Sequence, residues 1–232
     1  MGGRERTYRP RARTTRPLGE ARSANAPPSK PLDPPSKVEG GWFVSEPLAH
    51  RLHQKSALGQ RVEGGLLLTP EEVLFCHWYR HLPLPADGWF PASLKDDTAL
   101  LRRTIALDVL RNGGERVVPV VHLASRYDSL PPATWAIRWE RQEAWTAHPG
   151  HTQVRIQRTH DPLDWDELGR WVSDVHDCGH VAELCVIDDE FDTTVYHLSF
   201  MEPRGSHQHA GELGDDVREQ VAAWCAAGTS VD

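Results

Sequence analysis

The sequence predicts a mixed α/β (α+β) chain: a small helical/mixed N-terminal domain, then an α/β domain built on a mixed sheet. Three observations predict it. Helix-capping signals and helical spacing dominate up to the Gly113–Gly114 pair. Short runs rich in β-branched residues take over after it. One capped helix interrupts those runs before two more strands close the pattern.

Ordered structure is expected from about Trp42. "GQRVEGGLLLTPEEVLFCHWYRHLPLP" reads as a short strand and then a helix. Thr69 is a good N-cap, Pro70 suits the first helical position and Glu72 completes a capping box, while "PLP" ends the helix. "DDTALLRRTIALDVLRNGG" is a second helix, with Leu100, Leu101, Ile105 and Val109 as its apolar side and the glycine pair as its stop. "ERVVPVVHL", "TWAIRW" and "TQVRIQ" read as strands. "LDWDELGRWVSDVHDCG" is a helix capped around Asp164 and Glu167, with Trp165, Leu168, Val172 and Val175 facing inward. "AELCVID" and "TTVYHLSF" are strands joined by the turn "DEFD", whose acids are expected to project outward together. "GELGDDVREQVAAWCAAG" is a candidate helix. The organisation is a disordered basic Pro/Arg-rich tail (1–40), an N-terminal domain (41–95), a C-terminal domain (96–204) and an extension (205–232).

Charge divides along the same lines. Residues 1–37 hold seven Arg and two Lys against three acids, a net +6; the rest hold 17 basic and 30 acidic side chains, a net −13. The body therefore lacks the basic balance of a freestanding nucleic-acid binder, while the tail could steer towards a polyanion. No apolar run reaches the roughly 18 residues of a membrane span, and no secretory signal follows the basic N-terminus. An intracellular location is expected, cytoplasmic or nuclear according to host. Cys76, Cys178, Cys185 and Cys225 form no CxxC pair, and Cys178 and Cys185 read as small buried apolar groups.

"HDCGHVAELCVIDDEFDTTVYHL" concentrates the chemistry. His176, Cys178 and His180, with His207 or His209, would make a metal set, but the spacing matches no standard zinc module and no metal is assigned. The plainer reading of His176 and His180 is histidines at a helix C-terminus, favoured by its dipole.

Residues 60–203 resemble the tRNA-intron (tRNA-splicing) endonucleases of archaea and eukaryotes. "LLLTPEEVLFCHWY" resembles that family's N-terminal strand and helix. "RTIALDVLRNGGERVVPV" is similar to the opening of its catalytic-type domain, and "HTQVRIQ" to the strand bearing its catalytic histidine. "LDWDELGRWVSDVHDCGHVAELCVIDDEFDTTVYHLSFMEP" resembles its helix, buried strand, acidic hairpin and closing strand. The resemblance implies metal-independent cleavage of pre-tRNA to a 2′,3′-cyclic phosphate and a 5′-OH, with no cofactor. It also implies a hetero-oligomer with a catalytic subunit, or a homo-oligomer. Asp188, Asp189, Glu190 and Asp192 would be a loop docking into a neighbour's basic pocket, with Phe191 where the family usually has Gly.

The family's Tyr, His and Lys fall on Trp139, His151 and His180, and Gly179 replaces the Arg that usually precedes the Lys. Only His151 is retained. Trp139 donates a hydrogen bond but accepts no proton. His180, neutral near pH 7, is a poor substitute for Lys. Each lost acid–base group costs about 10²–10⁴-fold in rate. Tyr127, in "ASRYDS", is a candidate to reach the site from the preceding loop. The resemblance thus implies a structural subunit that supports a catalytic paralogue on pre-tRNA, away from membranes. The alternatives are an active tRNA-intron endonuclease using His151 with altered partners, and a metal-binding or protein-interaction module on the same fold.

Overall fold

A computed structural model describes residues 31–127, 129–141, 143–201, 219, 222 and 223. Two sheets organise them. The first takes β1 (Ser36–Val38), β2 (Gly41–Ser45), β3 (Gln60–Val62) and β4 (Gly65–Leu68) in the order β1-β2-β4-β3, all antiparallel. Helix α1 (Leu48–Ser56) crosses between β2 and β3, and α2 (Pro70–Arg80), α3 (Trp89–Asp96) and α4 (Leu100–Arg111) follow. The second sheet takes β5 (Arg116–Pro119), β6 (Ala136–Trp139), β7 (Thr152–Arg158), β8 (Val181–Ile187) and β9 (Thr193–Leu198) in sequence order. Helix α5 (Trp165–Asp177) carries the chain from β7 to β8, so this pair alone is parallel and the sheet is mixed, as expected.

The N-terminal part carries more strand than its sequence suggested. The single strand expected before α2 is a hairpin, β3–β4, closed by Glu63 and Gly64. Gly64 has φ +74°, a left-handed value that favours glycine. Strand β1 begins at Ser36, inside the stretch expected to be disordered, because pairing with β2 satisfies its backbone. Gly65 is dictated by close approach: a Cβ there would sit 2.3 Å from the Val44 carbonyl oxygen of β2.

Helix α2 starts as read. Thr69 Oγ1 accepts from the Glu72 N–H, and Glu72 Oε2 accepts from the Thr69 N–H at 2.9 Å. Helix α4 buries a face that shares only Leu100 with the one expected. Leu100, Thr104, Leu107 and Arg111 point inward with Ala106 and Leu110, while Val109 is 39 % exposed. Polarity hid this face. Thr104 donates its hydroxyl to the Leu100 carbonyl at 2.9 Å, and Arg111 donates to the carbonyls of Val117 and Ser56. Both are buried with their donors engaged. In α5, Asp164 accepts from the N–H groups of Asp166 and Glu167. Its inner face is Leu168, Trp171, Val172 and Val175. Trp165 was expected inside but is 74 % exposed. It opens the helix, where a side chain leans back off the N-terminal end. Cys185 is buried as expected, but Cys178, at the C-cap of α5, is exposed.

One core joins the two sheets. It runs from Val44, Leu66 and Leu68 through Val73, Leu74 and Leu107 to Val117, Ala136, Val154 and Ile187. Of the C-terminal extension, Glu219, Ala222 and Ala223 are helical; the remainder of the candidate helix, with His207, His209 and Cys225, lies outside the described residues, as does the tail before residue 31. Among the described residues, no helix is long and apolar enough to cross a membrane.

Candidate functional site

The parallel pair β7–β8 sets two histidines side by side. His151 immediately precedes β7 and His180 immediately precedes β8. The Val181 N–H donates to the His151 carbonyl at 2.7 Å, so the strands enter together, roughly 4.8 Å apart. Gly179 makes this entry possible. Its φ of +73° turns the chain out of α5, with its own N–H on the His176 carbonyl and that of His180 on the Val175 carbonyl.

His180 is half-buried and held from behind. Its Nδ1 lies 2.8 Å from Gln153 Nε2. Gln153, fully buried, accepts at Oε1 from the Thr134 hydroxyl at 2.7 Å, and Thr134 accepts from the Trp171 indole N–H at 3.0 Å. The Tyr127 ring meets the imidazole edge-on at 6.1 Å. Burial, and then the neighbouring His151, push the His180 pKa below its ordinary value. His151 is more open, 40 % exposed, with Nδ1 3.3 Å from Glu143 Oε1.

Tyr127 does reach the site, but its hydroxyl is committed. It accepts from the Gly150 N–H at 2.9 Å and faces the Gly150 carbonyl at 3.3 Å. Burial raises its pKa, which opposes a role as a base. Trp139 is sealed in the core, with no solvent exposure. Its indole N–H donates to the His148 carbonyl at 2.9 Å, and the Arg126 guanidinium stacks 5.3 Å above its ring. Of the three positions carried over, His151 and His180 therefore meet and Trp139 lies beneath the surface.

Gln153, Thr134, Trp171 and Glu143 were not singled out in the sequence. Only Gln153 had a usable signal: strand alternation puts it on the same face of β7 as His151. The other three reach the site through tertiary packing.

At the far end of β8, the acidic turn is more ordered than a fan of repelling carboxylates. Asp188 turns inward, where its Oδ1 accepts from the N–H groups of Glu190 and Asp192, each at 2.9 Å. Asp189 pairs with Arg158 at 2.8 Å, and that hydrogen bond lowers its carboxyl pKa. The expectation that the three acids of the DEFD turn project outward together holds for Glu190 and Asp192, while Asp189, also exposed, is drawn into a pair with Arg158. Glu190, Phe191 and Asp192 form the exposed tip. Phe191 has φ +66°, a conformation that suits Gly.

A pocket of about 230 Å³ collects the opposite charge. Lys55, Arg80, Arg111 and Arg116 line it with the single acid Glu115. Among the described residues, none of the four cations forms an ion pair. Arg80, Arg111 and Arg116 instead donate to backbone carbonyls. Burial lowers the Arg111 pKa to about 10.

Among the described residues, no three His, Cys, Asp or Glu side chains converge to hold a metal ion, and His176, Cys178 and His180 form no such set. No protein-family model matches the chain, and no curated protein matches it. Among the described residues, the site thus offers two imidazoles, His180 hydrogen-bonded to Gln153 and His151 beside the Glu143 carboxylate, with no Arg or Lys bonded to either. Such a site can bind an oxyanion by hydrogen bonding, but it supplies little charge to a transition state.

Proposed function

We propose that this chain is a structural subunit of a tRNA-intron-endonuclease-type assembly, supporting a catalytic subunit that removes introns from pre-tRNA. The observation that carries this reading is the hairpin tip. Asp188 and Asp189 spend their charge shaping the turn, leaving Glu190, Phe191 and Asp192 displayed together. An aromatic side chain flanked by two carboxylates, in a conformation that disfavours it, suits insertion into a cationic pocket. The pocket of Lys55, Arg80, Arg111 and Arg116 has the matching charge, so a second copy of this chain is a chemically coherent partner alongside a catalytic paralogue. The sealed Trp139 and the neutral His180 account for weak chemistry in this chain.

Light scattering of wild type beside the Glu190→Lys/Asp192→Lys variant tests the docking. The expected result is a smaller assembled mass for the variant at an unchanged melting temperature; equal masses would sink the reading. Cleavage of a bulge–helix–bulge RNA in EDTA tests the division of labour. Activity is expected only when a Tyr/His/Lys-bearing subunit is added.

A second reading, an active endonuclease built on His151, is favoured by one contact. Glu143 faces His151 Nδ1, the arrangement that readies an imidazole for proton transfer. Cleavage by the chain alone, abolished by His151→Ala, would establish it in place of the first.

A further inference from the structure

Three helices end around one small pocket. Lys55 lies in the last turn of α1, and Arg80 and Arg111 are the last residues of α2 and α4. Arg116 joins them from the first position of β5, and the four line a cavity of about 230 Å³. The Phe75 ring forms part of the wall, with the Arg111 guanidinium 5.2 Å and the Arg80 guanidinium 6.0 Å from its centroid.

Helix C-termini attract cations, which accounts for part of this cluster. Each terminus carries about −0.5 of an elementary charge, so three offset about 1.5 positive charges. The four cations, set against the Glu115 carboxylate, leave three. Roughly half of that charge is therefore unneutralised. Arg111 has the greatest need of an anion. It is 9 % exposed, and burial lowers its pKa to about 10. Glu72 opposes that shift, but its carboxylate is bonded to His122 at 2.7 Å. The guanidiniums of Arg80 and Arg116 add to it, as like charges facing one another do. A buried cation is costly until a partner of opposite charge reaches it.

The donors are also set in advance. Arg80 donates to the Tyr79 carbonyl at 2.9 Å and the Ser56 hydroxyl at 3.5 Å. Arg111 donates to the carbonyls of Val117 and Ser56. Arg116 donates to the carbonyls of Glu143 at 2.6 Å and Arg141 at 3.3 Å. A guanidinium has five N–H groups, so these bonds fix each fork and leave donors over. Lys55 is exposed, and among the described residues its ammonium makes no hydrogen bond.

We propose that this pocket binds a terminal phosphate group, carried by a small phosphomonoester or by the end of a polynucleotide. Such a group has about −1.5 to −2 of charge and three acceptor oxygens, which match the remaining charge. Guanidinium forks take its oxygens two at a time. Drug-sized ligands fill about 300–1,000 Å³, so the smaller volume here suits the phosphate itself. The site rests on this geometry and not on the subunit reading. A phosphate seated here excludes the hairpin tip of a second copy from the same cations.

Arginine Nε–H correlation spectra of the full chain, titrated with inorganic phosphate against chloride at equal ionic strength, test the site without a substitution. One saturable site that shifts Arg80, Arg111 and Arg116 together is expected. Shifts confined to the arginines of residues 1–37, or no saturation, overturn it. Lys55→Gln should weaken phosphate binding by about tenfold at an unchanged melting temperature. Unchanged affinity in that variant overturns the assignment to this pocket. An RNA with a 5′-phosphate, beside the same RNA with a 5′-hydroxyl, separates the two sources. If the phosphorylated RNA binds about tenfold tighter and displaces inorganic phosphate, the ligand is a polynucleotide end. If the two RNAs bind alike while inorganic phosphate still saturates the pocket, it is a small phosphomonoester. The Glu190→Lys/Asp192→Lys variant should bind phosphate at least as tightly as wild type, and loss of binding there overturns the site. The assembled mass of that variant reports only on hairpin docking, so the two readings fail separately.

Discussion

His122 Nε2 lies 2.7 Å from Glu72 Oε2, with both side chains almost wholly withdrawn from solvent. Glu72 also receives the N–H groups of Gly59 and Thr69. Burial pushes its carboxyl pKa up, but the His122 charge and these donors outweigh burial and hold it below the ordinary 4.5. Burial likewise pushes His122 down, and Glu72 outweighs it, raising it above the ordinary 6.5.

The pair predicts a stability plateau with two flanks. Glu72 contributes fully above pH 4.5, and its contribution is lost as pH falls through its lowered folded value. His122 contributes fully below pH 6.5, and its contribution is lost as pH rises through its raised folded value. Denaturant midpoints should therefore be highest between these values. His122→Ala should cost about 3 kcal/mol within the plateau and flatten the alkaline flank. A variant that keeps that flank would show that another group produces it.

The inward face of α4 is testable by contrast. Leu107→Ala should cost about 2–5 kcal/mol, since Leu107 is wholly buried in the shared core. Val109→Ala, on the same helix at an exposed site, should stay within about 0.5 kcal/mol of wild type. Equal losses in urea unfolding would contradict the face.

The hairpin tip should separate shape from display. Asp188→Ala removes the acceptor for two N–H groups and should cost about 1 kcal/mol. Phe191→Gly relieves a left-handed conformation, so stability should hold or rise by up to about 1 kcal/mol while docking weakens. A destabilised Phe191→Gly would mean that the ring is anchored within its own chain.

Arg138 offers a test inside the mixed sheet. It makes two hydrogen bonds to the carboxylate of Glu183, which is 1 % exposed and also meets His197 at 2.6 Å. Arg138→Ala should cost about 3 kcal/mol by leaving a buried charge short of a partner. Glu183→Gln in the same background should recover part of that loss in thermal melts.

Much of the fold was legible because its signals are local. The Thr69–Glu72 box, the Asp164 cap and the β8–β9 hairpin each depend on neighbours within a few residues. The β2–β4 pairing and the true face of α4 depend on distant ones. Arg111 looks like a surface cation until Val117 and Ser56 supply their carbonyls. In the site, alignment of motifs brought out His151 and His180, but not that Trp139 would be covered by Arg126 and bonded to His148. Nor does any spacing connect Trp171 and Thr134, 37 residues apart, to the back of an imidazole.

Arg111 has a mechanical consequence. From one end of α4 it reaches the carbonyl at the end of α1, the Phe75 ring of α2 at 5.2 Å, and the carbonyl of Val117 in β5. A single guanidinium thus fastens three segments that belong to opposite ends of the shared core. The two sheets should consequently melt in one cooperative step, and a fragment beginning at residue 96 would expose the surfaces of Val117, Val154 and Ile187 that the first sheet and its helices cover.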